Sequence, residues 1–286
     1  MTPVCRLSPS MRIGSREFVW GSRTYLMGIV NVTPDSFSGD GVGLDVAAAR
    51  ARAIALASAG ADIIDLGGES TRPGHTPVDV DEELRRVLPA LCAIVAAVDL
   101  PISIDTRKAA IAREAVARGA ALVNDVSGLM GDAAMAGVVC EAGVPALLMA
   151  RGAGRQEDVL DRVRGDLDES LAVAEAHGIP RSRLLIDPGF GFGKTWRMNL
   201  ELLGRLRELR GYGLPIVAGL SRKSTIARVL GPGTGRSLEA NAALTTLAVA
   251  GGAEIVRVHD VAQMRIVART ADAVVRGAPP EAVGEP

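Results

Sequence analysis

Aromatic side chains make up only 3% of this 286-residue sequence. Any interior must therefore be filled by Ala, Val, Leu and Ile, and a hydrophobic share of 48% is enough for a full core. Cysteine is nearly missing. Cys5, Cys92 and Cys140 stand far apart without a CxxC pair, which excludes a disulfide framework and points to a reducing cytoplasm. Neither sign of charge dominates, with 32 Lys plus Arg against 33 Asp plus Glu. There is then no global attraction to nucleic acid or to an anionic membrane surface. No apolar stretch approaches a membrane span. Residues 1–20 carry Arg6, Arg12 and Arg16 and lack the apolar segment of a signal peptide. No cluster has zinc-ligand spacing, and His75 and His177 read as surface residues.

What is present is an alternation. Short apolar runs at 25–30, 62–66, 101–104, 121–123, 146–149, 184–186, 215–218 and 255–258 are too short for helices. They also lack the in–out alternation of half-exposed strands, as expected of buried parallel strands. Between them lie amphipathic segments at 46–58, 81–98, 109–118, 132–141, 157–177, 198–210, 238–250 and 261–275. Gly60, Gly119, Gly143, Gly178, Gly211 and Gly251 follow as C-terminal stops. Strand then helix, eight times, predicts an α/β fold, a single-domain (β/α)8 TIM barrel over residues 21–277. Residues 1–20 are expected to be a peripheral N-terminal extension and 278–286 a C-terminal tail.

A barrel of this kind places its chemistry at the carboxyl ends of its strands. The residues found there are Asn31, the segment from Gly68 to Gly74, Asp105, Asn124 with Asp125, Asp187, the segment from Ser221 to Ser224, and Arg257 with His259. Only the fifth run ends apolar, in Met149 and Ala150. A single Asp after a strand usually caps the next helix or fixes a turn, but so many converging polar ends point to a site. Asp105, Asn124 and Asp187 offer acceptors and an amide suited to a flat heterocycle rich in N–H donors. Lys223, Arg257 and His259 offer cationic donors suited to a phosphate or carboxylate. Ser224 falls at the start of a helix, where free N–H groups also favour an anion. The predicted ligands thus include a ring and at least one anion. The glycine-rich run at 189–195 imitates a phosphate loop, but Pro188 and Lys194 stand where the two phosphate-binding patterns require glycine.

These residues resemble the dihydropteroate synthase family. The matching segments are MGIVNVTPDSFS at 27–38, GESTRPG at 68–74, SIDTRK at 103–108, NDVSG at 124–128, DPGFGFGKT at 187–195, SRKS at 221–224 and RVHDV at 257–261. All seven occur in order and span nearly the whole barrel. The resemblance implies condensation of 6-hydroxymethyl-7,8-dihydropterin diphosphate with 4-aminobenzoate, with Mg²⁺ as cofactor, in a cytoplasmic homodimer open to sulfonamides. It places the pterin against Asp105, Asn124, Asp187, Lys223, Met149 and Phe192, and the diphosphate against Arg257, His259 and Asn31, the last through Mg²⁺. Pro34, Phe37, Thr71, Arg72, Pro73 and Ser224 are implied for the aminobenzoate, and Asp105, Lys223, Arg257 and His259 for catalysis. Two departures stand out. The first loop reads Ser38-Gly39-Asp40-Gly41 rather than the common Ser-Asp-Gly-Gly. Ala150 follows Met149 where the family commonly has His, which is expected to remove a polar group close to the pterin.

Two other readings of the same residues stay open at this level. A folate-dependent methyltransferase barrel also binds a pterin through Asp and Asn, but it has no diphosphate to hold, so SRKS and RVH weigh against it. A non-catalytic or weakened pterin-binding paralogue would keep the pocket; Ala150 favours it, and the complete set of anion-site residues opposes it.

Overall fold

The computed structural model describes residues 8–33, 45–69, 78–152 and 158–277. The described chain opens with an antiparallel hairpin, β1 (Ser10–Ile13) and β2 (Arg16–Val19). Strands and helices then alternate: β3 (Tyr25–Asn31), α1 (Val46–Ser58), β4 (Ile63–Gly67), α2 (Val80–Val95), β5 (Ile102–Asp105), α3 (Ala109–Ala117), β6 (Ala120–Asp125) and α4 (Met135–Ala142). They continue as β7 (Ala146–Met149), α5 (Val159–Ala176), β8 (Leu184–Asp187), α6 (Trp196–Gly204), β9 (Val217–Ala218), α7 (Ser224–Leu230), α8 (Leu238–Ala250), β10 (Ile255–Val258) and α9 (Val261–Val275). Strands β3 to β10 form one sheet in the order β8-β7-β6-β5-β4-β3-β10-β9. All its neighbours are parallel. A parallel bridge from Ile186 to Ile216 joins the two ends and closes the ring. The fold is the expected (β/α)8 barrel.

Side chains of a strand alternate between two faces, and here each face has its own core. Leu26, Val30, Ile64, Leu66, Ile102, Ile104, Val123, Leu148 and Ile186 belong to the cluster shared with the helices. Met27, Ile63, Leu122, Leu147, Leu185, Val217 and Ile255, drawn from strands all round the ring, belong to a second cluster. Only the barrel interior touches all of them, so these residues fill it at its amino-terminal end.

The hairpin is where the structure departs from the sequence reading. Residues 1–20 were expected to be peripheral, yet Met11, Ile13, Phe18 and Trp20 join the interior cluster. Phe18 is 1% exposed, and its ring lies 4.8 Å from that of Tyr25 and 5.9 Å from that of Trp20. The hairpin plugs the amino-terminal mouth of the barrel, where the strands supply Tyr25, Met27 and otherwise aliphatic side chains. Burying one such aromatic is worth roughly 1.5–3 kcal/mol.

Five of the described helices begin on polar caps: Asp45 on α1, Asp79 on α2, Asp158 on α5, Thr195 on α6 and Ser237 on α8 each accept a backbone N–H. The segment expected as one helix over 198–210 divides instead. Helix α6 ends at Gly204, and a 3₁₀ helix runs from Leu206 to Tyr212. Among the described residues no helix is long and apolar enough to cross a membrane.

Candidate active site

The inward phase of the strands decides which residues meet. Counting two residues on from the buried interior layer gives Asn124 after Leu122, Met149 after Leu147, Asp187 after Leu185 and Arg257 after Ile255. On β4 the same phase gives Asp65 after Ile63, and on β5 it gives Asp105, because Ile102 and Ile104 face the helices. The site is therefore the upper layer of the barrel interior, directly above the apolar floor.

Arg257 organises this layer. Its Nε donates to Asp65 Oδ2 at 2.6 Å, and a terminal nitrogen donates to Asp105 Oδ2 at 2.7 Å. The Asn124 amide nitrogen lies 3.3 Å from both oxygens of Asp65. Burial works against the Arg257 charge, but Asp65, Asp105 and Asp187 more than offset it and raise its pKa. Asp105 Oδ1 is buried and accepts no hydrogen bond. Burial pushes the Asp105 carboxyl up to about 7. Arg257 and Lys223 pull it down, while Asp65 and Glu83 push it further up. Asp187 is also raised by burial, opposed by the Gly189 N–H at 2.7 Å and by Lys223, Arg257 and Lys194.

Asp65 was missed in the sequence reading. Its signal was an acid at the inward phase inside an otherwise apolar run, with 0% exposure in the fold. Such a residue must be paired, and its partners are Arg257 and Asn124.

Lys223 enters from the loop after β9. Its Nζ lies 4.7 Å from the centre of the Phe192 ring, a cation–π contact. Gly191, at φ +82, leaves room for the stem: a Cβ there would lie 3.1 Å from Lys223 Cδ. The glycine run thus serves side-chain and backbone packing. A Cβ on Gly189 would sit 2.0 Å from the Ala150 carbonyl oxygen. Lys194 within it is no phosphate lysine. Its Nζ is buried without a hydrogen bond, and burial lowers its pKa to about 8 against the pull of Asp187 and Asp166.

His259 follows Arg257 after β10. Its backbone N–H and its ring Nδ1 lie 3.3 and 3.0 Å from Ser221 Oγ. Asn31 ends β3 opposite Gly67, where a Cβ would lie 3.5 Å from the Asn31 amide oxygen and equally near Asp105. Ser224 is exposed and opens α7, and the preceding Lys223 makes no side-chain cap. Met149 is 3% exposed and faces the interior. Asp125 faces the helices and accepts from the Ser127 and Leu129 N–H groups, a turn-fixing role. His177 is exposed, its ring nitrogen 2.9 Å from the Val173 carbonyl oxygen. Pro34, Phe37, Thr71, Arg72 and Pro73 lie outside the described residues. The root of their second loop is held by Glu69, which accepts from Arg107 at 2.8 Å and from Lys108, itself paired with Glu83.

Ala150 requires a correction. Its side chain was expected to replace a polar group close to the pterin. It lies instead in the cluster between sheet and helices with Ala146 and Leu148, at 0% exposure. Its outward phase, one residue past the inward Met149, puts it behind the strand.

A paired acid–amide floor beneath a cationic rim, at the carboxyl end of a closed parallel barrel, defines a barrel enzyme that takes a flat donor-rich ring and an anion. In agreement, the family model described as pterin binding enzyme matches residues 27–259. The dihydropteroate synthase of Clostridium beijerinckii is 41% identical over 93% of this chain and 100% of its own. The Xanthomonas albilineans dihydropteroate synthase structure with 4-aminobenzoic acid superposes with a TM-score of 0.85 at 41% identity, over 97% of this chain and 100% of that one. The Yersinia pestis enzyme in a sulfonamide complex superposes at 0.86 with 35% identity, over 93% and 98%. The chain belongs to the dihydropteroate synthase family.

Proposed function

We propose that the protein joins 4-aminobenzoate to 6-hydroxymethyl-7,8-dihydropterin diphosphate, giving 7,8-dihydropteroate and diphosphate. The observation that carries this reading is the buried Asp105 Oδ1, an acceptor with no partner beside Asn124 and Asp187. A pterin edge supplies the N–H donors such a floor requires. Lys223 meets the ring from the opposite side, and Met149 and Phe192 bound it. Arg257, His259 and Asn31 take the diphosphate. Ser224, with Pro34, Phe37, Thr71, Arg72 and Pro73, surrounds the aminobenzoate.

The aminobenzoate nitrogen is a weak nucleophile, so the difficult event is breaking the C–O bond to diphosphate. The bond's electron pair leaves with diphosphate, the amine nitrogen closes on the exposed carbon, and the amine proton is lost to solvent. Arg257 and His259 stabilise the leaving charge. The carboxylates of Asp105 and Asp187 stabilise positive charge developing on the ring.

Among the described residues no group of three or more His, Cys, Asp or Glu could hold a metal. Mg²⁺ does not need one, because it binds through few protein oxygens and completes its shell with substrate phosphates. The Asn31 amide oxygen at the site's edge fits that chemistry. Asn31 would hold Mg²⁺, which neutralises diphosphate charge when bound.

A homodimer fits the apolar side chains left exposed on the last helices, Val229, Leu230, Leu238, Leu247 and Ile266. The dispersed cysteines, Cys92 and Cys140 both free, suit the cytoplasm. The deciding experiment mixes purified protein, Mg²⁺, the pterin diphosphate and 4-aminobenzoate. Diphosphate and dihydropteroate should form in equal amounts, with loss of both in Lys223→Ala and Arg257→Ala. Pterin binding without turnover would instead identify a non-catalytic paralogue.

A further inference from the structure

Strand β9 is only two residues long, so the loop that delivers Lys223 leaves the barrel early and needs support from elsewhere. Arg222 within it has φ +57, a left-handed conformation that glycine adopts freely and arginine does not. Its N–H donates to Asn241 Oδ1 at 2.8 Å. Asn241 is 2% exposed and is itself anchored through Nδ2 to the Ser237 carbonyl at 2.7 Å. The Arg222 side chain forks onto Asp260, Nε to Oδ2 at 3.2 Å and a terminal nitrogen to Oδ1 at 2.6 Å. Asp260 is the residue before α9, where an aspartate ordinarily caps its own helix. Its side chain makes no cap here. A chain shaped by local folding alone would place glycine at 222 and spend Asp260 on α9, and this sequence does neither.

The pair joins two loops that are already in touch through Ser221 and His259. Arg52 of α1 holds the other side of the second loop, donating to the His259 carbonyl at 2.6 Å. We infer that Arg222 is a positioning residue for the reaction: its fork to Asp260 locks the loop carrying Lys223 to the loop carrying His259. The cation that meets the ring and the group that meets the leaving diphosphate then move as one body. This rests on the synthase reading and adds to it a residue that touches neither substrate.

The test uses full-length Arg222→Gly, Arg222→Ala, Arg222→Lys, Asp260→Ala and the double variant Arg222→Ala with Asp260→Ala. It measures kcat, KM for each substrate, pterin affinity by titration, and the melting midpoint. Arg222→Gly is the central variant, because it relieves the left-handed backbone while removing the fork. It should melt at or above the wild-type midpoint yet lose on the order of 100-fold in kcat/KM, the cost of misplacing reacting groups by about 1 Å, and bind pterin more weakly. Arg222→Ala and Asp260→Ala should show a similar loss, the double variant no more than the worse single, and Arg222→Lys an intermediate one. Wild-type turnover and pterin affinity of Arg222→Gly would overturn the inference, as would losses that multiply in the double variant. Absence of turnover in the wild type would instead sink the synthase reading. The pterin affinity of Arg222→Gly would still decide the role of the fork: weakened affinity supports it and unchanged affinity rejects it.

Discussion

Asp105 sits where folding and ligand binding make opposite demands on one carboxyl. Its folded pKa of about 7 lies above the ordinary carboxylate range because burial penalises the charge. A raised acid contributes stability in full below its unfolded pKa, and that contribution is lost as pH rises through about 7. Asp105→Asn should therefore flatten the decline in stability between about pH 4 and 8, as read by denaturant melts across that window. In its proposed role as the ring's acceptor, by contrast, Asp105 would work in the ionised form. At pH 6.5 or so pterin binding should release a proton, detectable by calorimetry in buffers of different ionisation heat. No buffer dependence, or one that survives in Asp105→Asn, would dismiss Asp105 as the ring's acceptor. Ala150 gives a second prediction at this scale. Its side chain is fully buried and packed on the outward face, among the apolar side chains between sheet and helices. Ala150→His should destabilise by about 1–3 kcal/mol through overpacking rather than add a pterin contact. Chemical denaturation beside a pterin titration measures both.

At the scale of elements, the amino-terminal hairpin is a part of the barrel that no βα repeat announces. Its four inward side chains complete an interior that the strands leave open at one end. Phe18→Ala should cost about 3–5 kcal/mol, as for other buried aromatics. The carboxyl-end site lies on the far side of the apolar floor, so kcat of the folded fraction should stay near wild type. A small change in stability would mean that the hairpin packs loosely in solution. The glycine run after β8 shows the converse. Its pattern imitates a phosphate loop, but its positions are explained by close approach to Ala150 and to the Lys223 stem.

For the whole molecule, two predictions follow from the family and the surface. A sulfonamide resembles 4-aminobenzoate in size and charge, so it should inhibit competitively with aminobenzoate. An unchanged rate at large excess of drug would count against the aminobenzoate site. The exposed apolar side chains of α7, α8 and α9 should be covered in a homodimer. Sedimentation equilibrium should return twice the chain mass, and Leu247→Glu with Ile266→Glu should return it to one. A monomeric wild type would leave those side chains without a partner of this kind.

The repeat of apolar run and amphipathic segment was sufficient to set the strands, the helices and the barrel, because the hydrophobic period is a local property of the chain. The residue types at the strand ends likewise announced a ring and an anion, and Asp105, Asn124, Asp187, Met149 and Arg257 all take the inward phase. Tertiary structure decided what depends on phase and on distant partners. Asp65 became the third point of the Arg257 network across 192 positions of sequence, and Ala150 turned its back on the site by one step of the pleat. Arg222 reached Asp260 instead of solvent. Each of these depends on which side chains closure of the ring brings face to face, and a linear pattern carries no record of that.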